Sequence, residues 1–241
     1  MQQKEYLCTG GSGLLGSELK KLLPDANFPP HVIFDVTDYL LMCNYMNQHI
    51  DIKTIVHCAA IISPPIVEEN PLDALEVNII GTANVVKLCM KYGLRLIYIS
   101  SDYVFDGEKE GGLYKESDLV NPVNKYALSK LSGECSVKLH NNYLIIRLSF
   151  GREPFPYIKA FIDQHTSRIP VSEAAKKIIK LLDKDITGVI HIGSERRTVM
   201  DYALSLGVTP EAFSINDMET KVPKDTSLDT SLYKEIMEEK D

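Results

Sequence analysis

One stretch near the start of the chain limits what it can fold into more than any other. Thr9-Gly10-Gly11-Ser12-Gly13-Leu14-Leu15-Gly16 carries the spacing G-x-x-G-x-x-G. It lies between a short apolar run, Glu5 to Thr9, and a stretch with helical apolar spacing, Leu14 to Leu23. Glycines are needed there for three reasons: a tight turn, a backbone that approaches a pyrophosphate, and close packing of helix on strand. The helix that follows aims unpaired N–H groups at an anion. Gly10, Ser12, Gly13, Leu14, Leu15 and Gly16 are therefore expected to hold a dinucleotide.

The rest of the chain repeats the same alternation. Apolar runs at Val32–Phe34, Thr54–Ala59, Leu94–Ser100 and Tyr143–Phe150 read as strands. Helical patterns run over about 38–48, 71–92 and 124–140. Strands that are apolar throughout and separated by helices indicate a parallel sheet covered on both faces. The predicted class is α/β, a doubly wound, Rossmann-type sheet. Residues 1–150 form the predicted dinucleotide-binding domain. A turn-rich break at Gly151–Pro156 opens a small substrate lobe over 151–241, with a helix at Val171–Leu182. A strand near 188–193 has the composition to rejoin the main sheet.

Composition narrows the class further. A net charge of -7 over 241 residues argues against a nucleic-acid surface. The five cysteines are scattered without a C-x-x-C pair, which points to reduced thiols in the cytoplasm and to no metal centre. His57 and His191 sit alone in strands with no metal-ligand partner at i+2 or i+4. The first eleven residues lack a signal-peptide pattern, and no apolar run has the roughly 18 residues of a membrane helix. The end, Glu235 to Asp241, reads as a solvated acidic tail.

Two positions bear on which dinucleotide is bound. Asp35 lies about 20 residues past the glycine loop, where a carboxylate can hold a ribose 2′-hydroxyl and favour NAD. Alternatively Asp35 and Val36 end the third strand beside the adenine, Asp38 caps the next helix, and the second strand is a stub near 25–28. The second reading is preferred, and it leaves NAD versus NADP open.

Tyr126 and Lys130 form a Y-x-x-x-K, a spacing expected about once by chance in such a chain. Its placement adds weight. The i, i+4 spacing sets both side chains on one helix face, beyond the C-terminal end of a strand, where open α/β sheets bind ligands. An ammonium beside a phenol would lower the phenol pKa and make Tyr126 a usable acid or base. Ser101 ends the preceding strand and could polarise a carbonyl. Tyr103 and Phe150 sit at strand ends, where they could line a sugar pocket or simply pack.

Together these motifs resemble the extended short-chain dehydrogenase/reductase family, and within it the dTDP-4-dehydrorhamnose reductase group. The resemblance rests on the glycine loop, the Ala59–Ala60 pair, N-x-x-G-T at Asn78–Thr82, Ser101–Gly107, Asn121–Tyr126 and Lys130. It implies NAD(P)H as cofactor, contacted also by Ala59, Ala60, Tyr126 and Lys130, and a nucleotide-linked 4-keto-6-deoxy sugar as substrate. It further implies Tyr126 as proton donor, Lys130 as its partner, Ser101 beside them and Arg168 near the nucleotide diphosphate. Tyr103 after Asp102 departs from the Asp-Glu of the family's dehydratases. The lobe after Phe150 is shorter than in most members, which keeps two alternatives open. One is a non-catalytic regulatory subunit that retains the dinucleotide site. The other is a sugar-nucleotide epimerase. The assembly is left open, with a homodimer as one option.

Overall fold

The computed structural model describes residues 2–238. In chain order the strands are β1 (Tyr6–Thr9), β2 (Thr54–His57), β3 (Arg95–Ile99) and β4 (Tyr143–Leu148). Then follow β5 (Phe150–Gly151), β6 (Lys159–Phe161), β7 (His165–Thr166), β8 (Ile169–Pro170), β9 (Gly188–Ile192), β10 (Arg197–Thr198) and β11 (Glu211–Phe213). The main sheet has the order β1-β2-β3-β4-β9 and every pair in it is parallel. The doubly wound prediction holds. So does the return of the strand near 188–193, which pairs with β4 from Leu144↔Gly188 to Leu148↔Ile192.

Helices cover both faces of the sheet. They are α1 (Leu14–Leu22), α2 (Tyr39–Gln48), α3 (Pro64–Glu69), α4 (Pro71–Ala74), α5 (Thr82–Tyr92), α6 (Lys125–Val137), α7 (Val171–Leu182), α8 (Val199–Ser205) and α9 (Ser231–Glu238). A π-helical stretch, Leu75–Gly81, joins α4 to α5, so the predicted helix over 71–92 is continuous. Strand residues alternate between two cores. Tyr6, Cys8, Ile97 and Ile99 pack with Leu15 and Leu19 of α1 and Ala174 and Ile178 of α7. Leu7, Leu96 and Tyr98 pack with Met42 of α2 and with Val85 and Leu88 of α5. Side chains of successive strand residues point to opposite faces, and here both faces are apolar.

The strand expected at Val32–Phe34 does not form. Pro29 and Pro30 precede it, and the N–H groups of Ile33 and Phe34 both close turns onto the Pro30 carbonyl. Val32 is 79% exposed, whereas Phe34 and Val36 drop into the second core. Asp35 therefore does not end a strand. The stub near 25–28 is present as a single parallel bridge, Leu7↔Asn27. Asp38 caps α2, accepting from the Leu41 amide at 2.9 Å. Helix α3, which opens with Pro64 and Pro65, is not assigned from the sequence. Proline is favoured in the first turn of a helix, where its missing N–H has no partner to lose. The expected acidic tail is helical as far as Glu238, with Tyr233 buried against the first core, and its last residues lie outside the described ones. Among the described residues no helix is long and apolar enough to cross a membrane.

Candidate active site

The glycine loop is shaped by steric necessity. Gly10 has φ +69°, and a Cβ there would lie 2.8 Å from the Ala59 amide nitrogen. A Cβ on Gly16 would collide with the Gly10 carbonyl and the Gly11 Cα, both backbone atoms that cannot turn aside. Gly13 is the N-cap of α1, so the first-turn N–H groups of that helix face the loop without intrahelical partners. Thr9 Oγ1 fixes the neighbouring segment, accepting from the amides of Cys58 and Ala59 at 3.1 Å each.

From this loop a single cleft of about 640 Å³ runs across the C-terminal ends of the sheet strands. It is lined by Gly10, Gly13, Leu14, Leu15, Gly16 and Ala60 at one side, and by Ser101, Tyr103, Tyr126, Lys130, Phe150 and Arg168 further along. Four other expected residues stay out of its lining. Ser12 is exposed in the loop, and Ala59 lies behind Gly10. Val36 is buried, and a Cβ on Gly81 would meet its side chain. Asp35 is engaged locally: one carboxylate oxygen accepts from the Thr37 amide and hydroxyl at 2.8 Å each, and the other pairs with His31 at 2.9 Å. The cleft also takes in Asp102, Ser149, Arg152 and Tyr157, which sequence reasoning did not assign. Asp102 had a signal, being adjacent to Ser101, whereas Arg152 and Tyr157 lie in the irregular break after β5 and had none.

The reactive end is built on α6. Asn124 caps it, accepting from the Ala127 amide at 2.9 Å, so the helix starts one residue before Tyr126. Tyr126 and Lys130 are both buried on one face. Ser101 lines the cleft with Tyr126, and its hydroxyl donates to Asp102 Oδ1 and accepts from the Tyr103 amide, at 3.1 Å each. The Tyr103 and Tyr126 rings meet edge to face at 6.1 Å. Lys130 Nζ donates to the Ile99 carbonyl at 2.8 Å and lies 4.3 Å from the centre of the Tyr98 ring. Asn78, in the π-helical stretch, does not reach the cleft. It holds Ile61 through the amide at 2.8 Å and the carbonyl at 2.9 Å, and donates to Ser129 of α6 at 2.8 Å.

Burial sets the proton affinities. It pushes the Tyr126 phenol up, a rise opposed by Ser101 and by Arg168 and reinforced by Asp102 and Tyr103. The depression by Lys130 expected from the sequence is not found, because the ammonium is directed at Ile99. Burial lowers Lys130 itself to about 8, with Glu134 acting against the fall. Asp102 is raised to about 6 by burial, eased by the Thr226 hydroxyl, which donates to it at 2.5 Å, and by Arg168. An acid, a base and hydroxyl donors thus share one wall of the cleft. Among the described residues no cluster of three or more His, Cys, Asp or Glu could hold a metal ion.

The glycine end fits a dinucleotide on its own geometry: backbone packed where a side chain would intrude, and a helix N-terminus open toward the cleft. The chain is similar to several known proteins. Methionine adenosyltransferase 2 subunit beta of Xenopus tropicalis is 36% identical over 251 residues, covering 88% of this chain and 73% of that protein. The dTDP-4-keto-6-deoxy-D-glucose reductase of Streptomyces niveus is 30% identical over 207 residues, covering 77% and 71%. The crystal structure of dTDP-4-dehydrorhamnose reductase from Bacillus anthracis in complex with NADP superposes with a TM-score of 0.84 at 26% identity, over 96% of this chain and 91% of that one. The family described as RmlD substrate binding domain matches residues 4–178. By fold, cleft and sequence, this chain belongs to the RmlD family of extended short-chain dehydrogenase/reductase-type proteins.

Proposed function

We propose that the protein is an NAD(P)H-dependent reductase of a nucleotide-linked 4-keto-6-deoxy sugar, with Tyr126 as proton donor. The observation that carries this reading is the continuity of one cleft, from the glycine loop to the Ser101, Tyr126 and Lys130 cluster. The reductase relatives of Streptomyces niveus and Bacillus anthracis support the substrate class. Gly10, Gly13, Leu14, Leu15 and Gly16 would hold the cofactor's pyrophosphate, and Lys130 with Tyr126 would meet its nicotinamide end. When bound, the reduced cofactor would supply the hydride that the keto carbon needs. Tyr126 gives its phenolic proton to the keto oxygen; burial works against this by raising the phenol's proton affinity, and Ser101 and Arg168 work for it by opposing that rise. Ser101 orients the phenol and donates to the same oxygen. Arg168 and Arg152, both in the cleft lining, meet the substrate diphosphate.

The five unpaired cysteines suit a reducing compartment, the cytoplasm. Tyr126→Phe should lower kcat about 10²–10⁴-fold, with cofactor affinity kept. Full turnover by that variant on keto-sugar nucleotides would overturn the mechanism. The subunit-beta relatives favour a second reading, a regulatory subunit that keeps the dinucleotide site. Cofactor binding without oxidation across a panel of keto-sugar nucleotides would select it.

A further inference from the structure

The face of α6 that carries Tyr126 and Lys130 continues one turn further to Glu134, which is fully buried. Its carboxylate accepts from three donors. Arg147 of β4 gives two, Nε at 2.9 Å and Nη2 at 2.8 Å, and the Ser100 hydroxyl gives the third at 2.6 Å. Arg147 is itself 2% exposed and lies 5.2 Å from the centre of the Phe105 ring. Two side chains of one helix face therefore hold two consecutive residues at the end of β3. Lys130 takes the Ile99 carbonyl and Glu134 takes Ser100, and the next residue, Ser101, lines the cleft with Tyr126.

A buried ion pair is an expensive way to hold a helix on a sheet, since well-packed apolar residues of similar volume often do as well or better. Its location gives it another use. We propose that Glu134, braced by Arg147, is a positioning residue for the proposed reduction: through Ser100 it sets Ser101 beside Tyr126, and it places a buried carboxylate one helical turn from Lys130. The proposal rests on the reductase reading for its effect on turnover, but its effect on Lys130 stands apart from substrate.

The surroundings of Lys130 agree. Cys58, at the end of β2, has its thiol pushed up to about 12 by burial, and His57 is lowered to about 3 by burial, so both are neutral. Tyr98 of β3 and Tyr126 of α6 are phenols held protonated by burial. Glu134 is the carboxylate among them, ion-paired with Arg147 at 2.8 Å, and it opposes the burial that lowers Lys130. Removing that charge must lower the Lys130 midpoint and let the ammonium deprotonate at a lower pH.

The test follows the Lys130 side chain by NMR in the cofactor-free, 13C-lysine-labelled protein, with its resonance assigned by its absence in Lys130→Met. Glu134→Gln keeps an acceptor for Ser100 but strands Arg147, a change that can cost the fold. Glu134→Gln/Arg147→Met removes both charges together and carries the test where the single variant does not fold. In either, the Lys130 midpoint should fall below that of the wild type, and Glu134→Asp should move it back. On a keto-sugar nucleotide turned over by the wild type, kcat should drop about 10²-fold and its alkaline limb should move to lower pH. KM should stay within about twofold. An unchanged or raised midpoint in a folded double variant overturns the proposal, as does an unaltered kcat. A wild type that turns over no keto-sugar nucleotide sinks the reductase reading instead, and the Lys130 titration still decides the role of Glu134.

Discussion

Single residues explain the two ends of the cleft. Gly16 is fixed by contact with backbone rather than by flexibility, since any Cβ there strikes the Gly10 carbonyl. Gly16→Ala should therefore push α1 off the loop. Calorimetric titration should show NAD(P)H affinity reduced about tenfold or more, and thermal unfolding a stability loss of about 1–3 kcal/mol. Affinity equal to that of the wild type would mean that the loop is not the pyrophosphate cradle. At the other end, Ser101, Asp102, Tyr126 and Lys130 share the cleft lining. Burial first and neighbours second set the proton affinities of Asp102, Tyr126 and Lys130. The Y-x-x-x-K spacing was legible because i and i+4 share a helix face whatever the rest of the chain does. The direction of the Tyr126 shift was not, because burial is a property of the folded site.

At the level of elements, α6 is the part on which the site depends. Its N-cap does double duty: Asn124 Oδ1 accepts from the Ala127 amide, and Nδ2 donates to the Lys221 carbonyl at 3.0 Å. Asn124→Ala should cost about 1–2 kcal/mol in urea unfolding and should reduce turnover, because the first turn of α6 carries Tyr126. A variant as stable as the wild type would show that the cap is redundant. Sequence patterns found α1, α2, α6 and α7 to within a residue or a few at each end, because each has a cap or clear apolar spacing. They failed at Val32–Phe34 and at α3 for one reason. Proline acts through the backbone group it removes, and whether that group was needed depends on the neighbouring chain.

Across the whole molecule, buried titratable groups set the response to acid. His57 and His191 are both lowered to about 3 by burial, so the unfolded chain gains their two protons as pH falls below about 6.5 while the folded chain does not. Asp102, raised to about 6 by burial, works in the opposite sense, because the folded chain takes up its proton first. Glu116, also raised by burial, adds to the Asp102 side. From about pH 6 to 4 the balance is two protons against at least one. Asp118, Asp201 and Asp229, held below the usual carboxylate range by hydrogen bonds, add to the histidine side as pH nears 4. Stability should fall as pH drops, by roughly 1.4 kcal/mol per pH unit for each net proton. Denaturant midpoints measured across that range check the sign, and a rise in stability on acidification would refute it. The C-terminal segment is tied into the same centre, with Thr226 bonded to Asp102, Gln164 to the Pro223 carbonyl and Arg196 to Asp225.

The sequence alone determined what local geometry controls. A glycine loop between strand and helix, strands apolar on both faces, and a tyrosine and lysine one turn apart follow from steric contact and helical or strand periodicity, which act over a few residues. Only the tertiary structure decided which distant residues meet. It returned β9 to the sheet, brought Thr226 to Asp102 across 124 positions, and set Arg147 and Ser100 on Glu134. Such pairings depend on how the chain packs around one core, and burial there moves the proton affinities of Asp102 and Lys130 toward neutrality.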